Sequence, residues 1–160
     1  MEKIKIDIVN ESGNKLPEYK TPLSAGADLR AFVNGKGTRM IYNCFVQDDA
    51  ERVILRPGGR CVIDTGQHIQ LPDGYEAKIR PRSGLTLNDG IVAQLGTIDS
   101  DYTGSMGIIL INFGEKQFII NNGDRLAQLV ISPVVQGEFN LVDKLKKTER
   151  GDGGFGHTGV

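Results

Sequence analysis

Short β-branched runs separated by strong turn signals constrain this chain most. Ile4, Ile6 and Ile8 alternate with Lys3, Lys5 and Asp7, the period-two pattern of a half-buried strand. Similar runs occupy Arg60–Thr65, Gly74–Arg80, Met106–Phe113, Gln117–Ile120 and Leu126–Ser132. Arg56-Pro57-Gly58-Gly59, Leu71-Pro72-Asp73-Gly74, Asn88-Asp89-Gly90 and Asn121-Asn122-Gly123-Asp124 stand between them and read as turns. Many short strands at close, even spacing predict an all-β barrel or sandwich. Helical signal is confined to residues 83–88, with Ser83 placed to act as an N-cap. Residues 33–51 carry little pattern and are expected to form a long loop or a hairpin excursion.

A chain of 160 residues accommodates one domain. With 19 basic and 20 acidic residues its net charge is −1, so no basic excess marks a duplex nucleic-acid binder. Cys44 and Cys61 follow no metal spacing and are too few for a disulfide framework, which favours reduced thiols. No apolar run approaches the roughly 20 residues of a membrane span. The charged, alternating N-terminus does not resemble a signal peptide. A cytoplasmic protein without nucleic-acid or membrane partners is expected.

Several segments could carry chemistry. Arg80-Pro81-Arg82-Ser83-Gly84 offers two guanidinium groups, a hydroxyl and helix-start amides to an anion. Taken alone, it equally suits surface arginines beside a capping serine. Asp99-Ser100-Asp101-Tyr102 places two acids beside an aromatic ring; a carboxylate there could serve as a general base, although such a run also suits a turn. His68 and His157 have no paired ligands at zinc spacing. Gly151, Gly153 and Gly156 match G-x-G-x-x-G, but no strand precedes them and the helix that should follow is missing, so a dinucleotide fold is not expected. From Thr148 onward the chain is glycine-rich with one large apolar side chain, Phe155, too little to order itself alone.

Taken together and in order, five segments resemble the motifs of the trimeric deoxyuridine triphosphatase family. They are Ala25-Gly26-Ala27-Asp28-Leu29-Arg30-Ala31, Pro81-Arg82-Ser83-Gly84-Leu85, Gly96-Thr97-Ile98-Asp99-Ser100-Asp101-Tyr102-Thr103-Gly104, Gly123-Asp124-Arg125-Leu126-Ala127-Gln128-Leu129, and Arg150-Gly151-Asp152-Gly153-Gly154-Phe155-Gly156-His157-Thr158-Gly159. The resemblance implies a jelly-roll-type β-barrel over residues 1–147 and a flexible arm over 148–160. It also implies a homotrimer whose active sites lie between subunits: one supplies a uracil-binding hairpin, a second the phosphate contacts, and a third the arm. The implied reaction is hydrolysis of dUTP to dUMP and diphosphate, limiting uracil incorporation into DNA and supplying dUMP for dTMP synthesis.

By position, Asp99 matches the carboxylate that deprotonates the water attacking the α-phosphorus. Tyr102 matches the ring against deoxyribose that leaves no room for a 2′-hydroxyl. Arg82, Ser83 and Gln128 match groups holding phosphate oxygens. In the arm, Phe155 stacks on uracil while Arg150, His157 and Thr158 reach phosphates. Gly84, Ala93, Gly96, Thr97, Ile98 and Gly156 carry over as further substrate contacts. Mg²⁺ is implied, held mainly by the triphosphate and supported through water by Asp28. Three features depart from the family pattern. Ala93 and Leu95 stand where asparagine and proline are common, Thr103 stands where arginine is common, and residues 33–51 look long. Two other functions are compatible with parts of the sequence. A dCTP deaminase would share the fold but needs a glutamate where this chain has its Asp99 segment. A nucleotide-sensing regulator would use the same pocket to signal to a partner protein.

Overall fold

The computed structural model describes residues 3–33, 37–47 and 52–154. Eleven strands and one short helix make up its regular structure: β1 Asp7–Asn10, β2 Glu18–Tyr19, β3 Ala27–Arg30, β4 Arg39–Gln47, β5 Arg52–Gln70, β6 Tyr75–Pro81, α1 Ser83–Asp89, β7 Ile91–Ala93, β8 Gly96–Ile98, β9 Ser105–Asn112, β10 Phe118–Asn121 and β11 Arg125–Pro133. One sheet runs β1-β5-β9-β7, with β4 and β10 also paired to the long β5; the other runs β2-β3-β11-β6-β8. All pairings are antiparallel. Among the described residues no ladder joins the two sheets, so the all-β, jelly-roll-type barrel expected from the sequence is left open.

Alternation explains the core. Along β9, Met106, Ile108, Leu110 and Asn112 are buried while the residues between them are less so. Met106, Ile108 and Leu110 join Leu55 and Ile63 of β5, Leu29 of β3 and Leu126 of β11 in a single apolar cluster. Full burial of each such side chain stabilises by about 1.5–3 kcal/mol. Asn112 is the polar exception, and it is satisfied: its Nδ2 donates 2.9 Å bonds to the carbonyls of Leu55 and Lys116.

Three expectations are corrected. Arg56-Pro57-Gly58-Gly59 does not end a strand, because β5 continues through it. The ladder to β4 skips there, with Tyr42 opposite Arg60 and Cys44 opposite Leu55. Gly58 takes φ +71°, and a Cβ on Gly59 would stand 2.7 Å from the Asn43 carbonyl, so the glycines form a bulge in place of a turn. The N-terminal strand begins at Asp7, although Ile4, Ile6 and Ile8 are half-buried as the alternation predicts. Ser83 is the first helical residue and not the cap. Arg82 occupies the cap position, where its guanidinium, a donor only, cannot accept from the helix amides and donates instead to the Arg125 carbonyl. The unpatterned stretch does form a hairpin excursion in its described part, β4 lying against β5. No helix among the described residues is long and apolar enough to cross a membrane.

Cys61 is fully buried, and Cys44 beside it is half-buried. Burial, with the neighbouring Cys44 adding to it, pushes the Cys61 thiol from 9.0 up to about 12. Above pH 9 the unfolded chain releases a proton that the folded chain keeps. This contribution to stability is therefore complete below pH 9 and is lost as pH rises toward 12. The expected result is a melting temperature that falls across this alkaline window, less steeply in C61A. At neutral pH a thiol reagent should label Cys61 only after unfolding; rapid labelling of Cys61 in the native state would contradict its burial.

Candidate active site

Strands β3, β11 and β6 lie side by side, and their register places Asp28 opposite Gln128 and Gln128 opposite Arg80. Cross-strand neighbours share a face, so these three point away from the core side occupied by Leu29 and Ala127. The β3–β11 ladder shifts between Arg125 and Ala127. Leu126 and Ala127 can then both be buried, while Arg125 emerges on the face of Asp28.

Asp28 is 4% exposed and lies between two guanidinium groups. Arg125 Nη1 donates to its Oδ2 at 2.9 Å, and Arg82 Nε lies 3.5 Å from its Oδ1. Arg82 Nη1 also donates to the Arg125 carbonyl at 2.8 Å. Two cations around one anion leave the cluster net positive, as a phosphate site requires. Gln128 is seated by Gly26: a Cβ there would stand 3.0 Å from Gln128 Cβ and 3.2 Å from its Oε1. Ser83 and Gly84 are exposed in the first turn of α1, where no side chain caps the amides. Arg125 and Gly26 lie inside motif segments, but spacing assigns them no role. The pairing of Asp28 with Arg125 spans 97 residues of sequence, beyond any local pattern.

The Asp99 segment forms a second cluster. Ile98 is buried, whereas Thr97 and Asp99 are exposed. The turn closes through the Tyr102 N–H, which donates to the Asp99 carbonyl at 3.1 Å. Tyr102 Oη donates to the Ser105 carbonyl at 3.0 Å, its ring lies close over Gly104, and 47% of the residue remains open to solvent. Between the clusters lies Val92-Ala93-Gln94-Leu95-Gly96, the stretch that matches the family's hairpin; β7 and β8, which flank it, do not pair with each other. β7 lies on β9 in one sheet and β8 on β6 in the other, so the segment crosses between sheets. Ala93 is 2% exposed and faces the core, whereas Gln94 beside it is exposed. Gly96 is half-buried at the start of β8.

One chain does not bring the two clusters together. Ile98 lies opposite Ala77 and Gly96 opposite Ile79, so Asp99 leaves β8 at the Glu76 end of β6. Arg82 lies beyond the other end. At about 3.3 Å per residue the separation is on the order of 17 Å or more.

Among the described residues regular structure ends at Pro133, and the segment that follows exposes Val135, Phe139, Leu141 and Leu145, each by 87% or more. A run of apolar side chains so exposed marks a surface for association. Arg150 closes a local turn, its Nε donating to the Gly153 carbonyl at 2.8 Å. Phe155, Gly156, His157 and Thr158 lie outside the described residues. Among the described residues, no three His, Cys, Asp or Glu side chains gather to hold a metal. Both oxygens of Asp28 face guanidinium N–H groups, an arrangement that fits support of a phosphate-borne Mg²⁺ through water and not a protein cage.

The family model for dUTPase matches residues 13–159. The deoxyuridine 5′-triphosphate nucleotidohydrolase of Anaplasma marginale is 46% identical, with all of both chains covered. That of Chlamydia pneumoniae is 49% identical over 94% of each. Among solved structures, the Staphylococcus bacteriophage 80alpha dUTPase with dUPNHPP superposes with a TM-score of 0.82 at 26% identity, covering 99% of this chain and 100% of that one.

Proposed function

The chain belongs to the dUTPase family, a family of nucleotide hydrolases, and on that premise we propose that it hydrolyses dUTP to dUMP and diphosphate as a homotrimer. Asp99 orients a water molecule and accepts its proton as the oxygen attacks the α-phosphorus. The bond from that phosphorus to the bridging oxygen breaks, and diphosphate leaves. Arg82, Ser83 and Gln128 hold phosphate oxygens, and the Asp28–Arg125 pair keeps the Arg82 guanidinium in its pose. When bound, Mg²⁺ neutralises charge on the phosphates, with Asp28 supporting it through water. Tyr102 packs against deoxyribose, and Gly84, Ala93, Gly96, Thr97 and Ile98 line the nucleotide's path, Ala93 through its backbone. The arm, with Arg150, Phe155, Gly156, His157 and Thr158, closes over the nucleotide and excludes water. In the cell the product would feed dTMP synthesis, and the reaction would keep uracil out of DNA.

The observation that carries the shared-site model is the separation of Asp99 from Arg82 along β6. Each chain presents two half-sites, which complete one another only when Asp99 of one copy meets the arginine cluster of the next. The exposed apolar segment from Val135 to Leu145 supports the same assembly.

Diphosphate release with Mg²⁺, compared across dUTP, dTTP, dCTP and UTP, tests the proposal. Release from dUTP at a rate at least about a hundredfold above the others is expected, because a site built around one base and one sugar rejects analogues by such factors. Ammonia from dCTP would replace the hydrolase with a deaminase.

A further inference from the structure

We propose that Asp64 and Ser105 are positioning residues for sugar selection. The pair sets the seat of the Tyr102 ring and thereby the rejection of a 2′-hydroxyl. The inference rests on the dUTP-hydrolase function proposed above and deepens it.

Asp64 is a buried carboxylate, 6% exposed, that the hydrolytic mechanism does not use. It sits where the β5–β9 ladder is interrupted between Asp64 and His68. Its Oδ1 accepts from Ser105 Oγ at 2.5 Å and from the Gly66 N–H at 3.0 Å; its Oδ2 accepts from the Gly37 N–H at 3.2 Å. A carboxylate held by three donors has little freedom. Its backbone is fixed as well. The Asp64 N–H donates to Thr38 Oγ1 at 3.1 Å, and its carbonyl accepts from the Phe32 N–H at 2.7 Å. Asp64 is thus a rigid post between the base of the β4 excursion and the start of β9.

Ser105 passes that rigidity on. Its hydroxyl is tied to Asp64, and its carbonyl accepts the Tyr102 Oη–H at 3.0 Å. His68 Nδ1 donates to the Thr103 carbonyl at 3.0 Å and steadies the same turn from the side. The Tyr102 ring is nearly half exposed, so burial does not fix its height. Its Oη bond and the position of Ser105 do. Rejecting one added hydroxyl oxygen depends on wall placement to about half an ångström. Loosening the post would let the ring retreat and admit a ribose.

The test measures kcat/KM for dUTP and for UTP in the wild type, S105A, S105T and D64N, alongside melting temperature and oligomeric state. S105A removes only the hydroxyl that ties the turn to Asp64. The preference for dUTP over UTP should fall about tenfold, the usual scale for one lost hydrogen bond to a charged group. S105T restores a hydroxyl and should stay within about twofold of the wild type on that scale. D64N keeps an acceptor but turns an amide N–H₂ toward existing donors, and should shift the preference in the same direction as S105A. A change in stability alone would lower both substrates together and leave their ratio alone. An S105A enzyme with the wild-type ratio, or with equal losses on both substrates, overturns the inference while leaving the hydrolase standing. A wild-type protein that releases no diphosphate from dUTP overturns both.

Discussion

Asp99→Asn should abolish turnover while leaving nucleotide affinity nearly unchanged. The Asp99 side chain is exposed, and the turn around it closes through its backbone carbonyl, so an amide of the same shape should not disturb the loop. The amide cannot accept a proton from water. Loss of a general base alone costs on the order of 10²–10⁴ in rate. Diphosphate release and calorimetric titration with a non-hydrolysable dUTP analogue, run on one preparation, would separate the two effects. Turnover within tenfold of wild type would remove Asp99 from the chemistry and direct attention to Asp101.

Deleting residues 149–160 should give a folded trimer with kcat reduced on the order of 10²–10³, the scale of one lost transition-state stabiliser. Among the described residues strand structure ends at Pro133, and the hydrogen bonds of Arg150 stay within its own turn, so the described part of the deleted stretch adds no hydrogen bond to the strands. It does remove a guanidinium, a ring for stacking and many backbone amides from a site that must exclude water. Sedimentation velocity and a melting curve would confirm assembly and stability, and the rate assay would show the loss. Full activity in the truncated protein would mean that the arm is not part of the site.

The features legible in the sequence alone are local ones. The alternation in residues 106–113 and the turns at Pro72-Asp73-Gly74 and Asn122-Gly123 act over a few residues, and each appears in the fold near its expected place. Expectation and fold part where one local chemistry serves two geometries. Pro57-Gly58-Gly59 suits a turn or a bulge, and only the partner strand β4 decides between them. Ser83 is suited to cap α1, but Arg82 is held by Asp28 and Arg125 from far along the chain, which sets the helix start one residue earlier. The crossing of residues 91–98 between sheets, the Asp28–Arg125 pair and the Asp64–Ser105 bond are all products of tertiary packing. Resemblance points to the residues of the first and fourth segments, but it does not say that Gly26 seats Gln128. The parts of Phe155, Gly156, His157 and Thr158 rest on that resemblance alone.

The length of β6 has a consequence for genetics. If opposite ends of one strand serve different sites, a copy damaged at Asp99 still carries a sound arginine cluster, and a copy damaged at Arg82 still carries a sound base. Expressed together, two alleles that are each silent would assemble some mixed trimers with an intact site at one interface. Recovery of activity from two inactive parents would therefore follow from the shared-site assembly proposed above, and a single-chain active site could not show it.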